Sequence, residues 1–150
     1  MDTFMERAVE LAIDNVKEGG QPFGAVLVKD DQIIAEGVNE LHKKHDVSGH
    51  AELIAIRRAQ AKLDRSELAG YTMYASGEPC PMCLTAMYFA GIDKVFYCQS
   101  IEDAFGVGLT KSQFIYKELK VDKADRSIEM KQMPLQESQV NPLLLWQTNK

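Results

Sequence analysis

His50 and Glu52 stand in the stretch GHAEL, residues 49–53, and Cys80 and Cys83 in SGEPCPMC, residues 76–83. Two thiols three apart can form a redox couple, a structural metal knot or part of a catalytic metal site. A C-x-x-C on the first turn of a helix brings both sulfurs to one side of the helix tip. There the free backbone N–H groups and the helix dipole favour thiolate over thiol. If a second helix opens at His50 and packs beside the first, the imidazole and both thiolates can reach one ion. One nitrogen and two sulfurs leave a fourth tetrahedral position open, as in a catalytic rather than a closed structural zinc site. Zinc held this way brings the pKa of a bound water toward neutrality and makes hydroxide available. Glu52, two residues after the histidine, would stand beside that water and serve first as general base and then as general acid.

His50-x-Glu52 with Pro79-Cys80-x-x-Cys83, 29 residues lying between the histidine and the first cysteine, resembles the H-x-E…P-C-x-x-C signature of the zinc nucleobase and nucleoside deaminases. With GQPFGAVLV at 20–28, AEGVN at 35–39 and FIYKEL at 114–119, nearly the whole chain is similar to the bacterial guanine deaminases of the cytidine-deaminase fold. The resemblance implies an α/β fold, three layers α/β/α around a central mixed sheet of about five strands, forming one zinc deaminase domain over residues 1–150. It implies zinc on His50, Cys80 and Cys83, with Glu52 as the proton shuttle. Asn39 matches the asparagine that hydrogen-bonds the substrate ring and Phe23 the aromatic that packs against the base; Ala51 is counted with them as substrate-binding. The reaction implied is hydrolysis of a free nucleobase, guanine giving xanthine and ammonia. The partners implied are that small molecule and a second copy of the chain, in a homodimer whose C-terminal segments exchange. Two positions depart from the family. Lys111, Ser112 and Gln113 stand where its base-reading aspartate precedes the FIY segment, and the chain ends WQTNK without the family's closing tyrosine.

These residues need elements to hold them. Met5, Val9, Ala12, Ile13 and Val16 recur at helical spacing in residues 3–18, and Gly19-Gly20 ends that helix. Residues 23–39 read as two strands turning at Asp30-Asp31, and the polar run 39–49 as a loop. A helix follows from about His50 to Lys62, then a strand over 70–76, a helix from about Pro81 to Ala90 and a strand over 93–99. Residues 100–112, with two glycines, read as a loop, 113–119 as a short helix, 126–134 as a fifth strand and 141–149 as a terminal helix. The order implies one sheet with helices on both faces.

At 150 residues the chain suits a single domain. No stretch approaches the roughly 20 apolar residues of a membrane span, and the acidic, periodic N-terminus is unlike a signal peptide. Three cysteines, two in a C-x-x-C, suit a reducing compartment, so the expected location is the cytoplasm. A net charge of −5 gives no support for a phosphate-tracking surface, so nucleic acid is not the expected partner.

Each candidate also has a plainer reading. His50 alone reads as a capping or core histidine, Glu52 as a first-turn acid, Asn39 as a turn residue and Phe23 as core. Cys98, in an apolar strand, reads as a small buried hydrophobe, Asp103 as a turn cap and Trp146 as core or dimer contact. The competing activities are a tRNA adenosine deaminase or a cytosine deaminase. Outside enzymes, the alternative is a structural zinc-binding module, which would have no use for Glu52.

Overall fold

Asp2 opens the first helix, α1 (Thr3–Lys17), its Oδ1 accepting from Phe4 N at 2.8 Å and Met5 N at 3.3 Å. The buried face of α1 is Met5, Ala8, Ala12 and Asn15. Ile13 and Val16, expected on that face, are half exposed because the helix meets the sheet along its small residues. A computed structural model describes residues 2–149. It divides them into a unit ending at Lys117 and a second beginning at Glu118.

In the first unit, β1 (Gly24–Lys29) and β2 (Gln32–Val38) form a hairpin whose two turn residues, Asp30 and Asp31, have φ of 50° and 59°. Both lie in the left-handed region that a two-residue turn of this hand requires and that aspartate tolerates. β3 (Thr72–Gly77) pairs antiparallel with β1, and β4 (Lys94–Gln99) pairs parallel with β3, giving the order β2-β1-β3-β4. One face of the sheet packs on α1, where Phe4, Tyr74 and Phe96 stack with ring centroids 5.3 and 5.2 Å apart. The other carries the main core, in which Ala25, Leu27 and Met73 meet α2 (Ala51–Leu63) and α3 (Pro81–Ala90).

The approach of α2 to the sheet is close at Gly37. A Cβ there would overlap the Ala51 carbonyl oxygen and stand 2.9 Å from Ala55 N, both backbone atoms that no rotamer change can move. Gly37→Ala is therefore expected to push away the helix that begins at His50. The overpacking costs about 1–3 kcal/mol and lowers Tm by roughly 2–12 °C, measurable by scanning calorimetry. An unchanged Tm would refute this contact.

The sheet has four strands rather than five. Residues 126–134, the expected fifth, form no strand. Alternation of apolar residues specifies a face, but a strand also needs a partner for its backbone groups. From Glu118 onward the described residues hold the end of α5 (Lys111–Leu119), one 3-10 turn (Lys123–Asp125) and α6 (Pro142–Thr148), which Asn141 caps. Residues 100–112 are not all loop. Ser100 and Asp103 form a capping box that starts α4 (Ile101–Gly106), so Asp103 is a cap as expected. Cys98 is exposed rather than buried, because β4 is the edge of the sheet. No described helix is long and apolar enough to cross a membrane.

Candidate active site

His50 and Cys80 occupy the N-cap positions of α2 and α3. Such positions usually hold Ser, Thr, Asp or Asn, whose oxygens satisfy first-turn N–H groups. The His50 side chain makes no capping bond, and Cys80 Sγ accepts from Cys83 N at 3.5 Å. His50 therefore does no capping, and Cys80 caps only through a long bond to sulfur. His50 Nδ1 lies 3.5 Å from Cys80 Sγ and 3.6 Å from Cys83 Sγ, and the three atoms all fall within 4.8 Å of one another. Zinc–sulfur bonds of about 2.3 Å and zinc–nitrogen bonds of about 2.0–2.1 Å at a tetrahedral angle require N···S separations of about 3.6 Å. The donor set and its spacing fit zinc, with one position left for a non-protein ligand.

Glu52, on the first turn of α2, is 6% exposed. Burial pushes its carboxyl up to about 7, helped by the negative charge of Cys80 and opposed by its own backbone N–H, by His50 and by the Cys83 thiol. The group therefore takes and gives a proton near neutrality. Among the ligands without metal, the Cys83 thiol donates to Cys80 and holds that thiol down to about 4, with His50 assisting. Cys83 is correspondingly raised, first by that bond and then by burial. His50 is raised by its bond to Cys80. At pH 7 the metal-free cluster thus holds Cys80 as thiolate and Cys83 as thiol, and the Cys80 thiolate favours the protonated form of His50. Zinc loading must strip the Cys83 proton and any on His50, so at least one proton is released, and affinity must rise with pH. Calorimetric titration in buffers of different ionisation enthalpy measures that number; a release of none would contradict this protonation pattern.

Backbone bonds bring the expected base-binding residues to the same corner. Glu40 N donates to Gly49 O at 2.8 Å, which joins Asn39 to the turn before His50, and Asn39 N donates to Phe23 O at 3.2 Å. A Cβ on Gly77 would stand 2.8 Å from Phe23 Cε1, so the ring lies against the strand end that leads to Cys80. Asn39 is 1% exposed, and Ala51, the first residue of α2, is fully buried. Its main-chain N–H is among those that a helix start leaves without an intrahelical partner.

Several supporting residues had not been singled out from the sequence. Glu78 N donates to Gln99 O at 2.7 Å and its Oε1 accepts from Ile101 N at 3.0 Å, which anchors the loop before Cys80. The Tyr116 hydroxyl donates to Pro79 O at 2.6 Å. Burial first, then the charges of Cys80 and Glu78, pushes its phenol up to about 12, so it remains a donor. FIYKEL was the one sequence signal for Tyr116, without a role. Of the residues that brace Asn39, Gln21 stands within GQPFGAVLV, without a role, and Asn15 has no signal at all.

Residues 1–99 match the cytidine and deoxycytidylate deaminase zinc-binding region. The chain is 44% identical over 146 residues to the guanine deaminase of Bacillus subtilis (strain 168), covering 97% of this chain and 92% of that protein. The crystal structure of guanine deaminase from Bacillus subtilis superposes with a TM-score of 0.90 at 43% identity, over 99% of this chain and 95% of that one. A tRNA-specific adenosine deaminase of Agrobacterium fabrum is 39% identical over 93 residues, 59% of this chain and 61% of that protein. The imidazole and two cysteine sulfurs beside a buried carboxyl all lie within the matched zinc-binding region, and the chain belongs to the cytidine and deoxycytidylate deaminase family.

Proposed function

We propose that this chain hydrolyses guanine, as the free base, to xanthine and ammonia. The observation that carries the reading is likeness to a guanine deaminase at 44% identity along 97% of the chain, whereas tRNA-specific adenosine deaminases match it at 39% identity over 59% (Agrobacterium fabrum) and 32% over 76% (Buchnera aphidicola). The net charge of −5 also favours a small molecule over a polyanion.

Zinc on His50, Cys80 and Cys83 supplies a Lewis acid that makes water a nucleophile at neutral pH. Glu52 takes a proton from the attacking water as its oxygen bonds to the ring carbon bearing the amine. The carboxyl passes that proton to the adjacent ring nitrogen and carries the second to the amine as the carbon–nitrogen bond breaks. Of the two water protons, one ends on the ring and one on ammonia, and the oxygen remains on the base. In this reading Asn39 donates to an acceptor on the ring, Phe23 packs against its face and Ala51 closes the pocket floor at the start of α2.

The same reading makes residues 1–150 one functional domain that works as a homodimer with exchanged C-terminal segments. Its support is the set of large apolar side chains left exposed, of the kind that marks interaction surfaces. In the first unit Tyr88 is 75% and Phe89 86% exposed, beside a groove of about 350 Å³ lined by Leu84, Met87, Ile92 and Val95. In the second, Met133, Leu143 and Trp146 are exposed. Three free cysteines fit a cytoplasmic location.

Ammonia release from guanine, guanosine, adenine, cytosine, isocytosine, pterins and aminotriazines tests the assignment. Guanine is expected to give the highest kcat/KM, with tRNA unmodified. The screen is broad because Lys111, Ser112 and Gln113 replace an acidic residue. Preference for another base overturns the substrate, and no ammonia from any overturns the reaction.

A further inference from the structure

We infer that Gln21 is a positioning residue for Asn39: its side-chain oxygen accepts from Asn39 Nδ2 and fixes which end of the Asn39 carboxamide the substrate meets. The inference rests on the reading that Asn39 binds the base.

The two ends of a carboxamide have nearly the same shape, so only hydrogen bonds decide whether the pocket sees a donor or an acceptor. At Asn39 two bonds decide it. Leu41 N donates to Oδ1 at 3.0 Å, and Nδ2 donates to Gln21 Oε1 at 3.3 Å. A half-turn of the amide would set an NH2 against the Leu41 N–H and an oxygen against Gln21 Oε1. The Leu41 bond lies within the same turn and moves with it. Gln21 belongs to another segment, so it ties the amide to the fold.

Gln21 is itself held. Asn15, 2% exposed on α1, donates through Nδ2 to Gln21 O at 2.8 Å and to Asn39 O at 2.9 Å. One buried amide thus fixes both backbones, and the Gln21 side chain spans the gap between them. Gln21 Oε1 is the one protein acceptor of Asn39 Nδ2 among the described residues, which leaves its second hydrogen for a ligand. The group left over is an N–H, and it selects bases that present a bare ring nitrogen or a carbonyl oxygen at that edge.

The test compares Gln21→Met, which keeps the length and loses the acceptor, with Gln21→Glu, which keeps an acceptor. It uses the zinc-loaded enzyme and the base that ranks first in the ammonia screen. Gln21→Met is expected to raise KM about five- to tenfold with kcat and zinc content nearly unchanged. Gln21→Glu should restore KM to within about twofold of wild type. Gln21→Ala gives the same reading should the methionine variant fail to fold. An unchanged KM in the acceptor-free variants overturns the inference, and so does an equal rise in Gln21→Glu, which would mark a packing effect. Asn39→Ala separates the two levels. If it raises KM while Gln21→Met does not, the positioning role alone falls; if it leaves KM unchanged, Asn39 does not bind the base and both fall.

Discussion

Glu52→Gln leaves a folded, zinc-loaded protein whose kcat for deamination is lower by about a thousandfold, within the range removed with a general acid–base group. The carboxamide matches the carboxyl in shape, still offers an oxygen to the Cys83 thiol and removes none of the three ligands, so metal content should stay near one ion per chain. It cannot accept the water proton, and every later transfer depends on that one. Stability moves the other way. The folded-state pKa of Glu52 is raised from 4.5 to about 7, so ionisation is disfavoured in the fold. Stability is full below pH 4.5 and is lost as pH rises toward 7, by roughly 3 kcal/mol in the metal-free protein. The glutamine variant lacks that loss and should melt higher than wild type at pH 8 but not at pH 4, both without metal. Steady-state ammonia release, elemental analysis and thermal melts read the three effects. A variant within tenfold of wild-type kcat would assign the proton transfers elsewhere and favour a structural zinc module.

The second large effect is on the metal. Cys83 is fully buried at the start of α3 and contributes both a ligand and a part of the core. Cys83→Ala leaves two ligands of three, and zinc affinity falls by more than the roughly tenfold to hundredfold lost with outer-shell partners. Activity falls to background. Stability falls too, since zinc at a thousand times its Kd adds about 4 kcal/mol that the variant cannot gain. Wild-type protein stripped with a chelator should reproduce the same loss of activity and regain it with added zinc; the variant should not. One zinc per chain and measurable turnover in Cys83→Ala would show that the ion sits elsewhere.

The metal ligands were readable because their chemistry restricts residue type and their placement on two helix starts restricts spacing. His50 and Cys80 stand where a capping oxygen normally would, and Glu52 follows on the first turn of the same helix. The hairpin was readable because Asp30-Asp31 supplies two left-handed residues between apolar runs. The fifth strand was not: residues 126–134 alternate, yet pairing depends on a neighbour that alternation cannot name. α4 was hidden by Gly106 and Gly108, which read as loop although the capping box of Ser100 and Asp103 overrides them. Burial of Cys98 was misjudged because an apolar strand does not reveal whether it lies at the centre or the edge. The Asn15–Gln21–Asn39 network joins positions 6, 18 and 24 residues apart and follows no periodicity, so only the folded backbone discloses it.

The strand order governs when the metal can arrive. His50 follows β2, at one margin of the sheet, whereas Cys80 follows β3, and β1 lies between them. Imidazole and thiols, 30 positions apart, meet only after β3 has docked on β1. A nascent chain therefore leaves the ribosome with its thiols unshielded, and ion capture falls late, after the long-range pairings that are slowest to form.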